Sequence, residues 1–317
     1  MNKADSSKVP DVSIGIVSYN SSAMLDQCLE SLYTHAAEDT FEILVVDNAS
    51  SDNSLEMINA KYPDVILLKN KKNYGFSKAV NAAFRASRGK YFFLLNPDAR
   101  LVEDIFPGMI SFFMEHSDAG VVAPKLVFPD GSLHPSARRL IGFLGFLMDV
   151  FQIHLYFPGN PIAKKVNYQY WNHASTKSVG WVVGAAFMTK REVFIQCGLM
   201  DERFFMYFED MDYCKTVSKI GYKTYFCPQF TVVHHHAMGG SDKLPVRKVD
   251  YYISLYRYIL KHKGVGKAAI FRFATILWGI IYLLSRTGMF IVAPDRYSLK
   301  ERVDIPLRII TFKSYAI

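Results

Sequence analysis

The sequence predicts an α/β protein built on a mostly parallel central sheet flanked by helices, with a helical extension at its C-terminal end. Two observations carry this. Through the first hundred residues, β-branched runs alternate with helically spaced segments, and the strand-like runs are apolar along their length rather than at every second residue. Such strands are buried on both faces and need helices on each side, joined by right-handed crossovers. In order, "VSIGIVSYN" (Val12 to Asn20) is a strand ending in polar residues, and "SSAMLDQCLESLYTHA" places Met24, Leu25, Cys28, Leu29 and Leu32 at helical spacing. "FEILVVDNAS" repeats the strand with Asp47 at its end, and "SDNSLEMINAKY" is a helix with Ser or Asp available as its cap. "VILLKN" is a third short strand, "GFSKAVNAAFRASRG" a helix closed by Gly89, and "KYFFLLNPDA" a fourth strand. Sheets of this kind bind ligands at the carboxyl ends of their strands, where Asn20, Asp47, Asn70 and Asp98 fall.

From about Pro124 the texture changes to the loop "FPDGSLHPSARR", the aromatic-rich "LIGFLGFLMDVFQIHLYFPGN" and "SVGWVVGAAFMTKREVFIQCG". We therefore expect residues 1–249 to form the main domain, divided at about 123/124, and residues 250–317 to form a separate helical segment. The chain has 317 residues, half of them hydrophobic, enough for a large core. Its four cysteines are scattered without a CxxC pair, which speaks for reduced thiols rather than a zinc ribbon or a disulfide framework. The polar start "MNKADSSKVPD" has no apolar stretch typical of a secretory signal, so catalysis is expected inside the cell. A formal charge of +8 suits an anionic partner, yet no nucleic-acid recognition motif or Lys/Arg stripe accompanies it.

Several constellations could carry chemistry. "DNASSDNS" serves as a capped turn or places Asp47 against a base or ribose. "KNKKNYGFSKAVN" is a basic loop entering a helix, which suits a diphosphate as well as a solvated turn; neither GxGxxG nor a P-loop is present. In "NPDA", Pro97 ends the apolar run and aims Asp98 into the loop region, where it caps a helix or binds a hard cation such as Mg²⁺ or Mn²⁺. "FFMYFEDMDYC" crowds Glu209, Asp210 and Asp212 beside aromatic residues, which either raises their proton affinity as a general base near neutral pH requires or decorates a helix N-terminus with acids that favour its dipole. "TVVHHH" ends a strand in histidines that alternate in direction, so they cannot all ligate one ion; they supply one metal ligand with two bystanders or are a polar strand end.

Taken in order, "VSIGIVSYNSSAMLDQCLESL", "EILVVDNASSDNS", "KNYGFSKAVNAAF", "FFLLNPDARL", "VGWVVGAAFMTKREVF", "MDERFFMYFEDMDYC" and "CPQFTVVHHH" resemble the motifs of the inverting family 2 glycosyltransferases, in particular rhamnosyltransferase-like enzymes of bacterial surface polysaccharide synthesis. The resemblance runs from about Val12 to Ser241. It implies a GT-A fold, with a Rossmann-like nucleotide-binding half fused to an acceptor-binding half on one sheet. It implies Asp210 as catalytic base and Asp98 with His234 as ligands of a divalent cation, Mg²⁺ or Mn²⁺. Donor contacts implied are Ser18, Tyr19, Asn20, Asp47, Asn73, Gly75, Asn81, Asn96 and Asp98; acceptor contacts are Trp181, Gly184 and Glu209. Asn96 stands where a first acid is usual, Ala79 and Ala83 where glycines are usual, and Thr216 where an arginine is common.

The resemblance further implies a dTDP- or UDP-sugar donor, with dTDP-rhamnose favoured, and a saccharide or polyprenyl-linked acceptor. The alternative is a non-catalytic nucleotide- or glycan-binding component of an assembly complex, against which Asp98, Asp210 and His234 speak. "FRFATILWGIIYLLSRTGMFIVA" is long enough to span a bilayer, but Arg272 and Arg286 interrupt it and basic residues flank both sides. Helices lying on the inner face of the cytoplasmic membrane are expected, with Trp278 and Tyr282 at the boundary; packing on the catalytic domain or in a homo-oligomer is the alternative.

Overall fold

The structure, a computed structural model, describes residues 9–36, 41–150, 171–235, 244–288 and 299–312. The run begins as the hydrophobic pattern dictates: β1 (Val12–Ser18), α1 (Ser22–His35), β2 (Phe41–Asp47), α2 (Ser54–Lys61), β3 (Ile66–Lys69), α3 (Phe76–Ala86) and β4 (Tyr91–Leu95). Every residue of β1 is buried, and α1 turns Leu25, Cys28, Leu29 and Leu32 into the core. β1, β2, β3 and β4 are parallel, with Ser18 opposite Asp47 and Asp47 opposite Lys69, so three strand ends are level.

Pro97 does stop the apolar run. After a turn closed by the Ala99 N–H donating to the Asn96 carbonyl, the chain resumes as β5 (Ala99–Leu101), α4 (Phe106–Glu115), β6 (Ala119–Val127), β7 (Leu133–His134), β8 (Ala137–Arg138) and α5 (Phe143–Val150). Then come β9 (Lys177–Val179), β10 (Trp181–Val182), β11 (Ala186–Lys190), α6 (Arg191–Gln196), α7 (Glu209–Lys219) and β12 (Lys223–His234). The long sheet runs β3-β2-β1-β4-β11-β6-β12-β5. β11 enters antiparallel between β4 and β6, β12 lies parallel to β6, and β5 closes the far edge antiparallel to β12. The sheet is thus largely parallel with antiparallel insertions. All four cysteines are thiols, three of them buried.

The chain forms two compact units, neither of them one continuous segment. The first comprises Met1–Leu140, Trp171–Glu202 and Glu209–Gly240; the second comprises Ile141–Tyr170, Arg203–Phe208 and Ser241–Ile317. The second unit contains α5, α8 (Leu244–Lys263), α9 (Val265–Gly288) and α10 (Leu299–Thr311). Phe146 packs edge-on against Tyr258 and Phe208 there. Arg272, which in sequence only interrupts an apolar run, donates to the carbonyls of Ile309 and Ile310 at the end of α10, where cationic donors satisfy orphan acceptors. Among the described residues no helix is long and apolar enough to cross a membrane.

Candidate active site at the carboxyl edge of the sheet

The level ends of β1 and β2 carry the first cluster. The Asn48 N–H donates to the Ser18 carbonyl and the Asn70 N–H to that of Asp47, which knits the strand exits together. Asp47 is buried; its Oδ2 accepts from the Ser50 N–H at 3.0 Å, while Oδ1 has no partner. A buried carboxylate oxygen left open at a strand end can accept an N–H or O–H from water or a ligand. Asn20, in a left-handed conformation with φ 50°, accepts from the Ser51 N–H at 2.7 Å and so ties the β1 loop to the β2 loop. Tyr19, next to it, leaves its ring exposed, available for stacking.

Asn48 links this edge to the next loop. Its Nδ2 donates to the Gly75 carbonyl at 3.2 Å and its Oδ1 accepts from Asn70 at 2.8 Å. Gly75 precedes α3 with φ 85°, a conformation that glycine adopts without strain, and its N–H is held by Asn73 Oδ1. Lys72 and Lys78 bracket the Tyr74 ring at 5.8 and 4.7 Å, so positive charge collects at this helix entrance. Asn81, expected at the donor, is hydrogen-bonded within the protein. Its amide donates to the Met200 carbonyl and Glu202 and accepts from the Met200 N–H, which commits it to bracing α3 against a loop more than a hundred residues away. Ser18, fully buried, shares a hydrogen bond with Ser21 and shapes the edge from beneath.

The second cluster joins β5, β7 and β12. Asp98 Oδ1 lies 3.2 Å from His234 Nε2, with both side chains more than nine-tenths buried. The His235 N–H donates to the Asp98 carbonyl, locking the two segments in register. An oxygen and an imidazole nitrogen at this distance match adjacent ligands on a divalent ion, which at bonds of about 2.1 Å lie roughly 3 Å apart. Among the described residues no three His, Cys, Asp or Glu side chains form a metal-holding group. A pair of protein ligands is what a hard cation needs when phosphates and water complete its shell. His236 lies outside the described residues.

The third cluster forms around α7. Asp210 Oδ2 accepts from the Gly184 N–H at 3.0 Å, and Oδ1 from the Met211 N–H at 2.7 Å. Loss of water pushes the Asp210 carboxyl upward; the Gly184 and Met211 N–H groups and the Arg138 charge oppose the rise. Glu209 is raised further, by desolvation first and the Asp210 charge second, and its Oε2 is buried without a partner. Both carboxyls are held above the ordinary carboxylate range by loss of water, and as neighbours they titrate as a pair. Gly184 lies just before β11, antiparallel to β4, and the Ala185 carbonyl accepts from the Asn96 N–H, which brings the α7 acid beside the β4 exit.

Trp181 is buried, donates its indole N–H to the Arg139 carbonyl, and carries the Arg138 guanidinium 5.4 Å from its ring. It supports Arg138 from a buried position. Arg138, Asn48 and His134 were not singled out from the sequence. For Asn48 the signal was its place between two Asp/Ser turns; for the other two, short strands hid it.

The family model described as Glycosyl transferase family 2 matches residues 13–198. The N-acetylglucosaminyl-diphospho-decaprenol L-rhamnosyltransferase of Mycobacterium tuberculosis is 28% identical over 267 residues, covering 80% of this chain and 86% of that protein. The O-antigen biosynthesis protein RfbC of Myxococcus xanthus is 26% identical over 260 residues, 80% of this chain and 20% of that one. Among solved structures, a Pyrobaculum calidifontis mannosyltransferase in complex with GDP-Man and Mn²⁺ aligns with a TM-score of 0.52 at 15% identity, over 98% of this chain and 88% of that one. GalNAc-T7 with UDP, GalNAc and Mn²⁺ aligns with a TM-score of 0.58 at 14% identity, over 97% of this chain and 55% of that one. These two establish likeness of fold, the GT-A arrangement expected from sequence. With its family model spanning more than half its length, the chain belongs to glycosyl transferase family 2 and is a glycosyltransferase.

Proposed function

We propose that the protein moves a sugar, with inversion, from a nucleoside diphosphate donor to a saccharide or lipid-linked saccharide acceptor in cell-surface polysaccharide synthesis, and that the favoured donor is dTDP-rhamnose. The observation that carries the donor reading is the open, buried Oδ1 of Asp47 level with the β1 exit. It can accept the N–H of a pyrimidine base or a ribose hydroxyl, with Tyr19 alongside. The rhamnosyl choice rests on the relative whose name specifies rhamnosyl transfer to a decaprenol-linked acceptor.

In this reading Asp98 and His234 hold a divalent cation, Mg²⁺ or Mn²⁺, which when bound neutralises charge on the donor diphosphate. The Gly184 and Met211 N–H groups orient Asp210, whose carboxylate takes the proton from the acceptor hydroxyl as that oxygen attacks the anomeric carbon. The C–O bond to the diphosphate breaks in the same displacement, and its electron pair leaves with the nucleoside diphosphate. Glu209, whose proton affinity burial and the Asp210 charge raise, stands beside Asp210 with a buried oxygen, Oε2, open towards the acceptor. A thermal-shift panel of nucleotide sugars with and without Mn²⁺ tests the assignment, because ligands of the folded state raise its melting temperature. The largest shift is expected for dTDP-rhamnose with Mn²⁺. A larger one for a UDP-hexose or UDP-galactofuranose reassigns the donor, and no shift with any of them contradicts a donor site.

The acceptor's lipid also suggests where the protein works. On α9, Ile270, Phe273, Leu277, Ile280 and Ile281 are exposed at spacings of three and four residues and form one apolar stripe, with Lys267 exposed one turn before it. We assign this stripe to the inner membrane surface, basic residues meeting anionic headgroups. Flotation with vesicles containing anionic lipid should carry the wild-type protein upward and leave Phe273→Glu behind. Equal flotation of the two proteins would remove the stripe from the contact.

A further inference from the structure

We infer that His134 is a positioning residue for the cation site, setting the affinity of the Asp98–His234 pair by holding the His234 ring through an Nδ1-to-Nδ1 contact. The inference rests on the reading of Asp98 and His234 as cation ligands. Its basis is a contact the sequence does not advertise: His134 Nδ1 lies 3.2 Å from His234 Nδ1, across a hundred residues of chain. Both rings are buried, stacked with centroids 5.1 Å apart and an interplanar angle of 14°. His134 is itself fixed by a second stack on Phe128 at 4.8 Å and by pairing opposite Leu126 between β7 and β6.

A neutral imidazole carries one N–H, so one Nδ1 in this contact donates and the other accepts. In the structure His234 Nε2 faces Asp98 Oδ1 and the two Nδ1 atoms face each other, so either ring can be the donor in that contact. With an ion shared by Asp98 and His234, Nε2 must offer its lone pair. Nδ1 of His234 then bears the proton and needs an acceptor, which a bare Nδ1 of His134 supplies. A backbone carbonyl could serve only the loaded form; a second imidazole serves both. Groups behind a ligating histidine commonly change metal affinity by roughly 10- to 100-fold.

The test is Mn²⁺ affinity of the full chain, measured by electron paramagnetic resonance in the presence of dTDP. His134→Phe keeps an aromatic ring for the stack but has no Nδ1, and should weaken Mn²⁺ binding roughly 10- to 100-fold with little change in melting temperature. His134→Asn places an amide atom near the lost Nδ1, able to accept or donate, and should stay within about threefold of wild type. Wild-type affinity in His134→Phe, or equal losses in both variants, would overturn the inference. The unaltered protein gives an independent answer: ¹⁵N shifts should place His234 in the Nδ1–H tautomer once Mg²⁺ and dTDP are bound, and an Nε2–H tautomer while Mg²⁺ binds also overturns it. Failure of the cation reading itself looks different, because wild-type protein and Asp98→Ala would then both fail to bind Mn²⁺.

Discussion

Asp210→Asn is expected to lower kcat by about a hundred- to ten-thousand-fold, the range a positioned general base contributes, while donor affinity stays within about threefold. Both carboxylate oxygens of Asp210 accept backbone N–H bonds, from Gly184 and Met211. An amide keeps the shape of that arrangement and one acceptor, but cannot take a proton from an acceptor hydroxyl. The pH profile gives a second readout. Burial raises the Asp210 carboxyl, so the acid limb of wild-type kcat should lie above that of an ordinary carboxylate, and it belongs to the Glu209–Asp210 pair rather than to either acid alone. Activity is lost as pH falls through that limb because the base becomes protonated. Stability has the opposite sign. Folded-state values above the unfolded ones mean that the pair contributes stability below the unfolded range and loses it as pH rises through the folded values. Near-normal turnover in Asp210→Asn, measured with saturating donor, would remove this residue as the base.

The second large effect is expected at the cation site. Asp98→Ala leaves His234 as the remaining member of a pair that spans 3.2 Å, and should weaken Mn²⁺ binding at least about a hundredfold, exceeding what groups behind a ligand achieve. Donor binding should lose its dependence on Mn²⁺, and kcat should fall with it because departing diphosphate charge is no longer neutralised. A structural account of the same pair, a buried carboxylate stabilised by an imidazole, predicts a lower melting temperature with no metal-dependent change in donor affinity. Exhaustive chelation of wild-type protein separates the two without any substitution: full activity after chelation contradicts the cation assignment.

β1, β2 and β4 were legible because burial on both faces left unbroken apolar runs, and Asp47 and Asp98 because each ends such a run; β3, a half-exposed edge strand, showed only as a short apolar stretch. What the sequence withheld came from pairings between distant segments. β11 inserts antiparallel beside β4, so Gly184 and the α7 acids come to the β4 exit through a register that local periodicity does not encode. Asn81 looked like part of a ligand loop because it follows Gly75, yet its side chain turns inward to Met200 and Glu202. His134 sits on a two-residue strand in a Pro- and Gly-rich loop, too short to show a period, and its meaning arises from His234 a hundred residues on. Arg272 was visible as a charge in an apolar run, but the Ile309 and Ile310 carbonyls it satisfies were not.

The most direct measurement of the central claim is the anomeric configuration of the transferred sugar, read by nuclear magnetic resonance on product made by the purified enzyme from a donor of defined configuration. A single displacement assisted by Asp210 predicts a product inverted relative to the donor. A product that retains the donor's configuration would contradict it.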